Sequence, residues 1–492
     1  MLVYVQYRSK IVRPRNLSES PFVYLYGEDE PQARTGNDVS TRYVIVHGHF
    51  YQPPREHPTT GAMPWEPGAS PFHDYNEKIL AECYRPNAEL GNLSRMSFNV
   101  GPTLAAWMRR RHTDVLARIA RSDQNARTAT GHGTAIAQGY HHTILPLDSP
   151  RDRQTEIRWG VRSFDLLYGR KPLGIWLAET AVDRPTLEAC ADEGLRYTIL
   201  APSQVRPDGR LSGSYRLQLA SGRRFEAVVY DAGLGGSVSF DPIATTHAAE
   251  FAATHVLPAF AQRASDDPLV AIATDGEVYG HHHKFKDLFL QDLLVRRLRE
   301  RGLTPVSADE YVAARPATTA ADLVEPSSWG CAHGLARWSD GCACTPGASD
   351  WKRPLRDAFD RLAAQIDRFF EERGSAHLRD PWAARDAYVD VVDGATPFAE
   401  WYDVHRTTNG DPRLAERLLE AQRLRLSMYA SCAFYWEALD RLEPAYGIRR
   451  ALAAASIVDD ELGTIVGPAF QHELTNGVNW SSCGAAEIPA AG

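Results

Sequence analysis

The sequence predicts an α/β barrel followed by a helical domain, on three observations. Short apolar runs of four to six residues, without polar alternation, recur between residues 43 and 273, as expected of strands buried on both faces of a parallel sheet. Each run ends in Gly, His or an acid and gives way to a longer stretch with helical spacing, over about 270 residues in all, the alternation that builds a βα barrel. After about residue 350 the strand-like runs stop and amphipathic stripes replace them.

Residues 1–40 mix polar residues, Pro and Gly around one apolar patch, Phe22 to Tyr26, and read as a poorly ordered extension. The barrel is expected over 41–315. Its strand-like runs are Tyr43–Val46 leading into His47-Gly48-His49, Met96–Val100 into Gly101-Pro102, and Thr128–Thr130 into Gly131-His132-Gly133. Leu173–Leu177 leads into Ala178-Glu179, Tyr197–Leu200 into Ala201-Pro202, and Leu269–Ala273 into Thr274-Asp275-Gly276. Helices are expected over 103–121, 150–168, 184–194 and 285–301, the third opening on Arg184-Pro185, a proline suited to a first turn. Residues 203–240 hold strand-like pieces (Arg216–Leu219, Phe225–Tyr230) and read as a β-rich insertion above the barrel. Residues 316–349, with their Cys and Trp, read as a loop over the site. The helical domain is expected over 350–465. Leu355, Phe359, Leu362, Ile366 and Phe369 make one stripe, Asp411-Pro412 opens a long helix to about 439, and 443–462 is helical too. Residues 466–492 offer no stripe and read as a tail.

Composition narrows the function. Lys+Arg 54 against Asp+Glu 62 gives a net charge of −8, which argues against nucleic acid or an anionic membrane as the main partner and suits a neutral substrate. No apolar run approaches the ~20 residues that span a bilayer. The first residues lack the basic-then-apolar order of a secretory signal, and seven cysteines in a chain of 492 are no dense disulfide framework. A reduced, cytoplasmic protein is the simplest reading.

Polar residues gather where the expected strands end, the side of a barrel on which active sites form. In His47-Gly48-His49-Phe50-Tyr51-Gln52, alternate residues share a strand face, so His47 and His49 point together. Gly131-His132-Gly133 is followed by Gln138, His141 and His142. In Gly174-Ile175-Trp176-Leu177-Ala178-Glu179 a carboxylate follows a buried strand, where solubility does not explain it, and Trp176 either packs the site or stacks on a sugar face. The last cluster is Thr274-Asp275-Gly276-Glu277-Val278-Tyr279-Gly280-His281-His282-His283. Two carboxyls at equivalent strand ends, Glu179 and Asp275, are what glycoside hydrolysis requires, one attacking or stabilising the anomeric carbon and one protonating the leaving oxygen. Glu277 and neighbouring His would tune the proton.

These four clusters, in this order, resemble glycoside hydrolase family 57 over roughly residues 43–462, most closely at the third and fourth. The resemblance implies an incomplete (β/α)7 barrel followed by a helical bundle, and a retaining mechanism on α-linked glucans of the amylase, 4-α-glucanotransferase or branching type, with no cofactor. It places the nucleophile on Glu179 within Trp-Leu-x-Glu, the general acid/base on Asp275, and a substrate-contacting His on His49. Gln52, His141, His142, Trp176, Glu277, His281, His282, Trp329 and Trp338 are the further substrate-contact candidates. The family often has His-Gln-Pro where this chain has Tyr51-Gln52-Pro53, and an acidic residue where this chain has Gly133-Thr134-Ala135-Ile136. These departures suggest a subgroup with its own substrate, whose members often extend further at the C-terminus.

One further group stands apart: Cys331, His333, Cys342 and Cys344 have the donor types of a zinc site. Their spacing, C-x-H-x8-C-x-C, is not a common structural-zinc pattern, and the preferred reading is a loop that folds Trp329, Arg337 and Trp338 over the site, with no metal. Two other functions remain open. One is a metal-dependent carbohydrate deacetylase or mannosidase-like hydrolase, using His47, His49, His141, His142 and His281 to His283. The other is a carbohydrate-binding protein without turnover.

Overall fold

A computed structural model describes residues 41–207, 213–263, 268–345, 347–478 and 480. The expected N-terminal extension and the end of the tail lie outside these residues. Within them the strands are β1 (Arg42–Phe50), β2 (Ser97–Val100), β3 (Ala137–Gln138), β4 (Gly174–Trp176), β5 (Tyr197–Leu200), β6 (Val205–Pro207), β7 (Ser214–Gln218), β8 (Arg224–Val229), β9 (Leu269–Asp275), β10 (Leu303–Pro305) and β11 (Ala321–Leu323).

The strands β1, β2, β3, β4, β5, β8 and β9 run parallel around a barrel. β1 is buried from Tyr43 onward and pairs with β9 from Tyr43 to His49. Its other edge takes β10 at the start and β2 at the end. Hydrogen bonds from Phe98 N–H to Thr134 O and from Ile136 N–H to Phe98 O carry the circuit to β3, and β3, β4, β5 and β8 follow in parallel. Between β8 and β9 the ladder lapses, and a bond from Asp231 N–H to Ala271 O bridges the seam. The barrel is therefore incomplete. Strands this short leave the packing to the helices outside. Gly160 shows how close that packing is: a Cβ there would lie 1.9 Å from Gln138 O, so only glycine lets the helix Pro150–Tyr168 rest on β3.

Five elements differ from the sequence reading. Thr128–Thr130 is the last turn of the helix Thr113–Thr130, whose buried Val115, Leu116, Ile119 and Ala126 run on to a left-handed Gly131; the third strand begins only at Ala137. The helix expected over 103–121 is two, broken at His112. Within 203–240, β8 is a barrel strand beside β5, and β7 is its antiparallel hairpin partner on the outer edge. The helix expected to reach 439 stops at Ser427, and a short one follows at Cys432–Tyr435. Part of the expected tail is helical, from Val466.

The C-terminal half is a helical domain around Lys352–Gly374, Pro412–Ser427 and Leu442–Leu462. Leu355, Phe359, Leu362 and Ile366 form the buried stripe, continued by Phe370 rather than the half-exposed Phe369. They pack against Leu424, Ile448, Ala451, Ala454 and Val458. The helix Pro150–Tyr168 meets this domain through buried charge: Asp152 accepts from Arg385 at 2.9 Å and forms an ion pair with Arg425 at 2.6 Å, and Arg425 reaches on to Asp367.

Candidate active site

Strand register sets one layer of side chains at the C-terminal mouth of the barrel. His49 lies opposite Asn99 on β2 and Asp275 on β9, and Gln138 lies opposite Trp176. Asn99 ties this layer together. Its side chain reaches His47 Nε2 at 3.2 Å and His49 Nδ1 at 2.9 Å, and donates to Gln138 Oε1 at 2.7 Å. His49 Nε2 and His142 Nε2 are 3.1 Å apart. Burial pushes His47 and His49 down to about 3 and His142 well below its ordinary value, so all three rings are neutral near pH 7. One of the two facing nitrogens then donates and the other accepts. Trp176 lies beneath, stacked on His47 and His49 with ring centroids 4.9 and 5.0 Å away.

Glu179 follows β4 on a turn that no apolar pattern announces. Glu179 and Thr180 both hold left-handed backbone, at φ 56° and 50°, which non-glycine residues adopt at a cost. Several contacts enforce it. Thr180 Oγ1 donates to Gln204 Oε1 at 2.8 Å, Gln204 Nε2 donates to Thr180 O at 2.7 Å, and Trp329 N–H donates to Thr180 Oγ1 at 3.0 Å. The Trp329 indole then donates to Glu179 Oε2 at 3.0 Å.

Asp275 ends β9 and is exposed to the lumen. Gly276 after it is pressed against the Phe50 ring, where a Cβ would come within 2.2 Å. Glu277 is buried and accepts from the Tyr84 hydroxyl at 2.6 Å and from Tyr51 N–H at 3.3 Å. Desolvation inside the cavity raises all three carboxyls, the accessible Asp275 included, since the barrel mouth keeps it from bulk water: Glu179 to about 7, Asp275 to about 6 and Glu277 to about 8. The charge of Asp275 adds to the rise of Glu179 and of Glu277, which places the three acids within electrostatic reach. Trp329 and the Arg337 guanidinium pull Glu179 back down. The arrangement can therefore hold a proton and a negative charge side by side near neutral pH.

A cavity of about 620 Å³ opens over this layer. Of the residues singled out in the sequence, Glu179, Asp275, Glu277, His49, Gln52, His142, His282 and Trp329 line it. Four stand elsewhere. Trp176 is the fully buried floor. His141 turns to Glu156, which accepts from both its backbone N–H and its Nδ1 at 2.7 Å. His281 pairs with Glu82 at 2.6 Å. Trp338 is fully buried in the core of the helical domain, so it presents no face for a sugar to stack on.

Other lining residues escaped the sequence reading. Ser431, Cys432, Tyr435, Trp436 and Glu443 reach the cavity from the helical domain, and Ser431 Oγ lies 2.7 Å from His142 Nδ1. The expected continuous helix to 439 concealed the first four, because the break after Ser427 is what turns them inward. Arg55 lines the cavity and donates to Gln52 Oε1 at 2.7 Å. Asn99 was passed over inside a buried strand, where its polarity was the one available signal.

Comparison with known proteins agrees with this architecture. A search of curated protein sequences returned no match. Among solved structures, an exo-type maltose-forming amylase from Pyrococcus sp. ST04 superposes with a TM-score of 0.70 at 14% identity, over 88% of this chain and 83% of that one. A branching enzyme from Pyrococcus horikoshii gives 0.60 at 15%, over 92% and 98%. A 4-α-glucanotransferase from Thermococcus litoralis gives 0.52 at 16%, over 84% and 60%. At such identities the likeness shows the fold. Residues 348–482 match a domain of unknown function, DUF3536. Residues 41–321 match the glycosyl hydrolase family 57 profile. That match takes in more than half of the chain, including both strand-end carboxyls, and the protein belongs to glycosyl hydrolase family 57.

Proposed function

We propose that the protein is a retaining enzyme acting on α-linked glucans, with Glu179 as nucleophile and Asp275 as general acid/base. The observation that carries this is the pair itself. Two carboxyls follow barrel strands β4 and β9, face one cavity and influence each other's ionisation. In the first step a Glu179 oxygen attacks the anomeric carbon while Asp275 passes its proton to the departing glycosidic oxygen, leaving an ester on Glu179. In the second, Asp275 takes the proton of a water or sugar hydroxyl, whose oxygen attacks the same carbon and frees Glu179. Both residues end as they began.

The scheme needs Glu179 ionised and Asp275 protonated. With the cavity open, Asp275 has the lower value by about one unit. The scheme requires a sugar in the lumen to reverse that order. Asp275 is exposed there and loses solvent, whereas the Trp329 indole and Arg337 continue to favour charge on Glu179. Glu277, raised to about 8 and hydrogen-bonded to Tyr84, stays neutral and spares Asp275 a second negative neighbour. Trp329, Trp436 and the exposed Phe240 supply aromatic faces for sugar rings. His49, His142 and Gln52 supply hydrogen bonds to hydroxyls.

Incubation with a maltooligosaccharide tests the reading. The wild type should change the product distribution and release products of α configuration by NMR. Glu179→Gln and Asp275→Asn should each lose about a thousandfold or more in kcat. Undiminished turnover in Glu179→Gln would overturn the nucleophile assignment, and β-configured products would overturn retention.

A further inference from the structure

The loop that carries Trp329 holds a second cluster. Cys331, His333, Cys342 and Cys344 each offer one ligand atom, and all four atoms lie within 4.8 Å of one another. Cys331 Sγ and Cys342 Sγ are 3.4 Å apart, and Cys344 Sγ and His333 Nδ1 are 3.3 Å apart. A disulfide would need about 2.05 Å. Tetrahedral zinc, with Zn–S about 2.3 Å and Zn–N about 2.0–2.1 Å, sets its ligand atoms about 3.5–3.8 Å apart. These two contacts need to open by only a few tenths of an ångström, and separations near the 4.8 Å limit to close by about 1 Å.

The surroundings suit thiolates. Backbone N–H groups of His333 and Arg337 favour the thiolate of Cys331, and that of Ala332 favours the thiolate of Cys344. Such donors stabilise and orient metal-bound sulfur. Three thiolates and a neutral imidazole around Zn²⁺ leave a net charge of −1. Lys352 lies within electrostatic reach of Cys331 and Cys342 and supplies the opposite charge. It is buried, with its ammonium donating to Arg337 O at 2.9 Å.

We propose that Cys331, His333, Cys342 and Cys344 bind one zinc ion, the three thiols releasing their protons to solvent as the Zn–S bonds form. Four protein ligands leave no open position, so the ion is structural rather than catalytic. It anchors the chain directly after Trp329 and Gly330, and so holds the wall that donates to Glu179. The proposal stands whether or not Glu179 is the nucleophile.

Metal analysis tests it. Protein purified under reducing, chelator-free conditions should carry about one zinc per chain. Exchange for Co²⁺ should give the thiolate charge-transfer bands and intense d–d bands of a tetrahedral sulfur-rich site. Cys342→Ser and Cys344→Ser should lose the metal, whereas His49→Asn should keep it. Should the cysteine variants fail to fold, the wild-type zinc content and cobalt spectrum still decide the question. Three outcomes would overturn the proposal: a wild type that neither carries nor takes up zinc or cobalt, a Cys331–Cys342 disulfide in the fresh protein, or metal lost in His49→Asn but kept in Cys342→Ser.

Discussion

Glu179 and Thr180 sit side by side in left-handed backbone, a conformation that costs of order 1–3 kcal/mol per residue and that Gln204 pins through the Thr180 hydroxyl and carbonyl. Replacing Gln204 by Leu should release the turn, lowering kcat by roughly tenfold or more while leaving KM little changed; steady-state kinetics on a maltooligosaccharide reads both. The carboxyl trio makes a second prediction. The proposed mechanism needs one acid ionised and one protonated, and desolvation raises the three groups to about 6, 7 and 8. The profile of kcat/KM against pH should therefore be a narrow bell centred near neutrality. The same groups act on stability with a definite sign. They ionise near 4 in the unfolded chain but at 6 to 8 in the folded one, so the folded state holds more protons between those limits. Stability is lost as pH rises through that window. Thermal melts should show Tm falling from about pH 5 to 8, and Glu277→Gln should flatten the fall. Both acids were legible in the sequence because each follows an uninterrupted apolar run, where no solvent face explains a charge. Asn99 was not, since a single amide inside a strand gives no hint that it knits three neighbours. Trp338 misled, because an indole suits a core and a sugar face equally.

Strand and helix types were largely legible, and the errors share a cause. Where an apolar run was long enough to fill a strand, as in β1 and β9, the reading held. Thr128–Thr130 deceived because the helix stripe of Val115 to Ala126 continues through it, and β3 is two residues long, too short to leave a pattern. β8 was set aside as an insertion because its hairpin partner β7 precedes it, and local pairing says nothing of the parallel neighbour β5. The break after Ser427 has no Pro or Gly to mark it; tertiary contact makes it, with Ser431 N–H donating to His142 O. Gly160 gives the prediction at this scale. A Val there would drive its Cβ into Gln138 O, forcing the helix Pro150–Tyr168 off β3 at about 3 kcal/mol or more. Chemical denaturation should show the loss, with activity falling too because Gln138 holds Asn99.

Across the whole molecule, the barrel and the helical domain are joined by Asp152 with Arg385 and Arg425, contacts that no local pattern in the sequence foretells. Asp152→Ala would leave the buried Arg385 guanidinium without a carboxylate and Arg425 with Asp367 alone, and should cost about 3–5 kcal/mol, read as a lower denaturation midpoint. The two halves divide the labour at the cavity. The barrel brings Glu179 and Asp275, and the helical domain brings Ser431, Tyr435 and Trp436 as its roof. The stretches that match the two families are separated by residues 322–347. On the proposed function, the acids of bond-breaking and part of the wall that meets the sugar chain lie on separate lengths of sequence. An exchange of the second, spliced in beyond Trp329, would offer evolution a new roof for the cavity while the indole that holds Glu179 stayed in place.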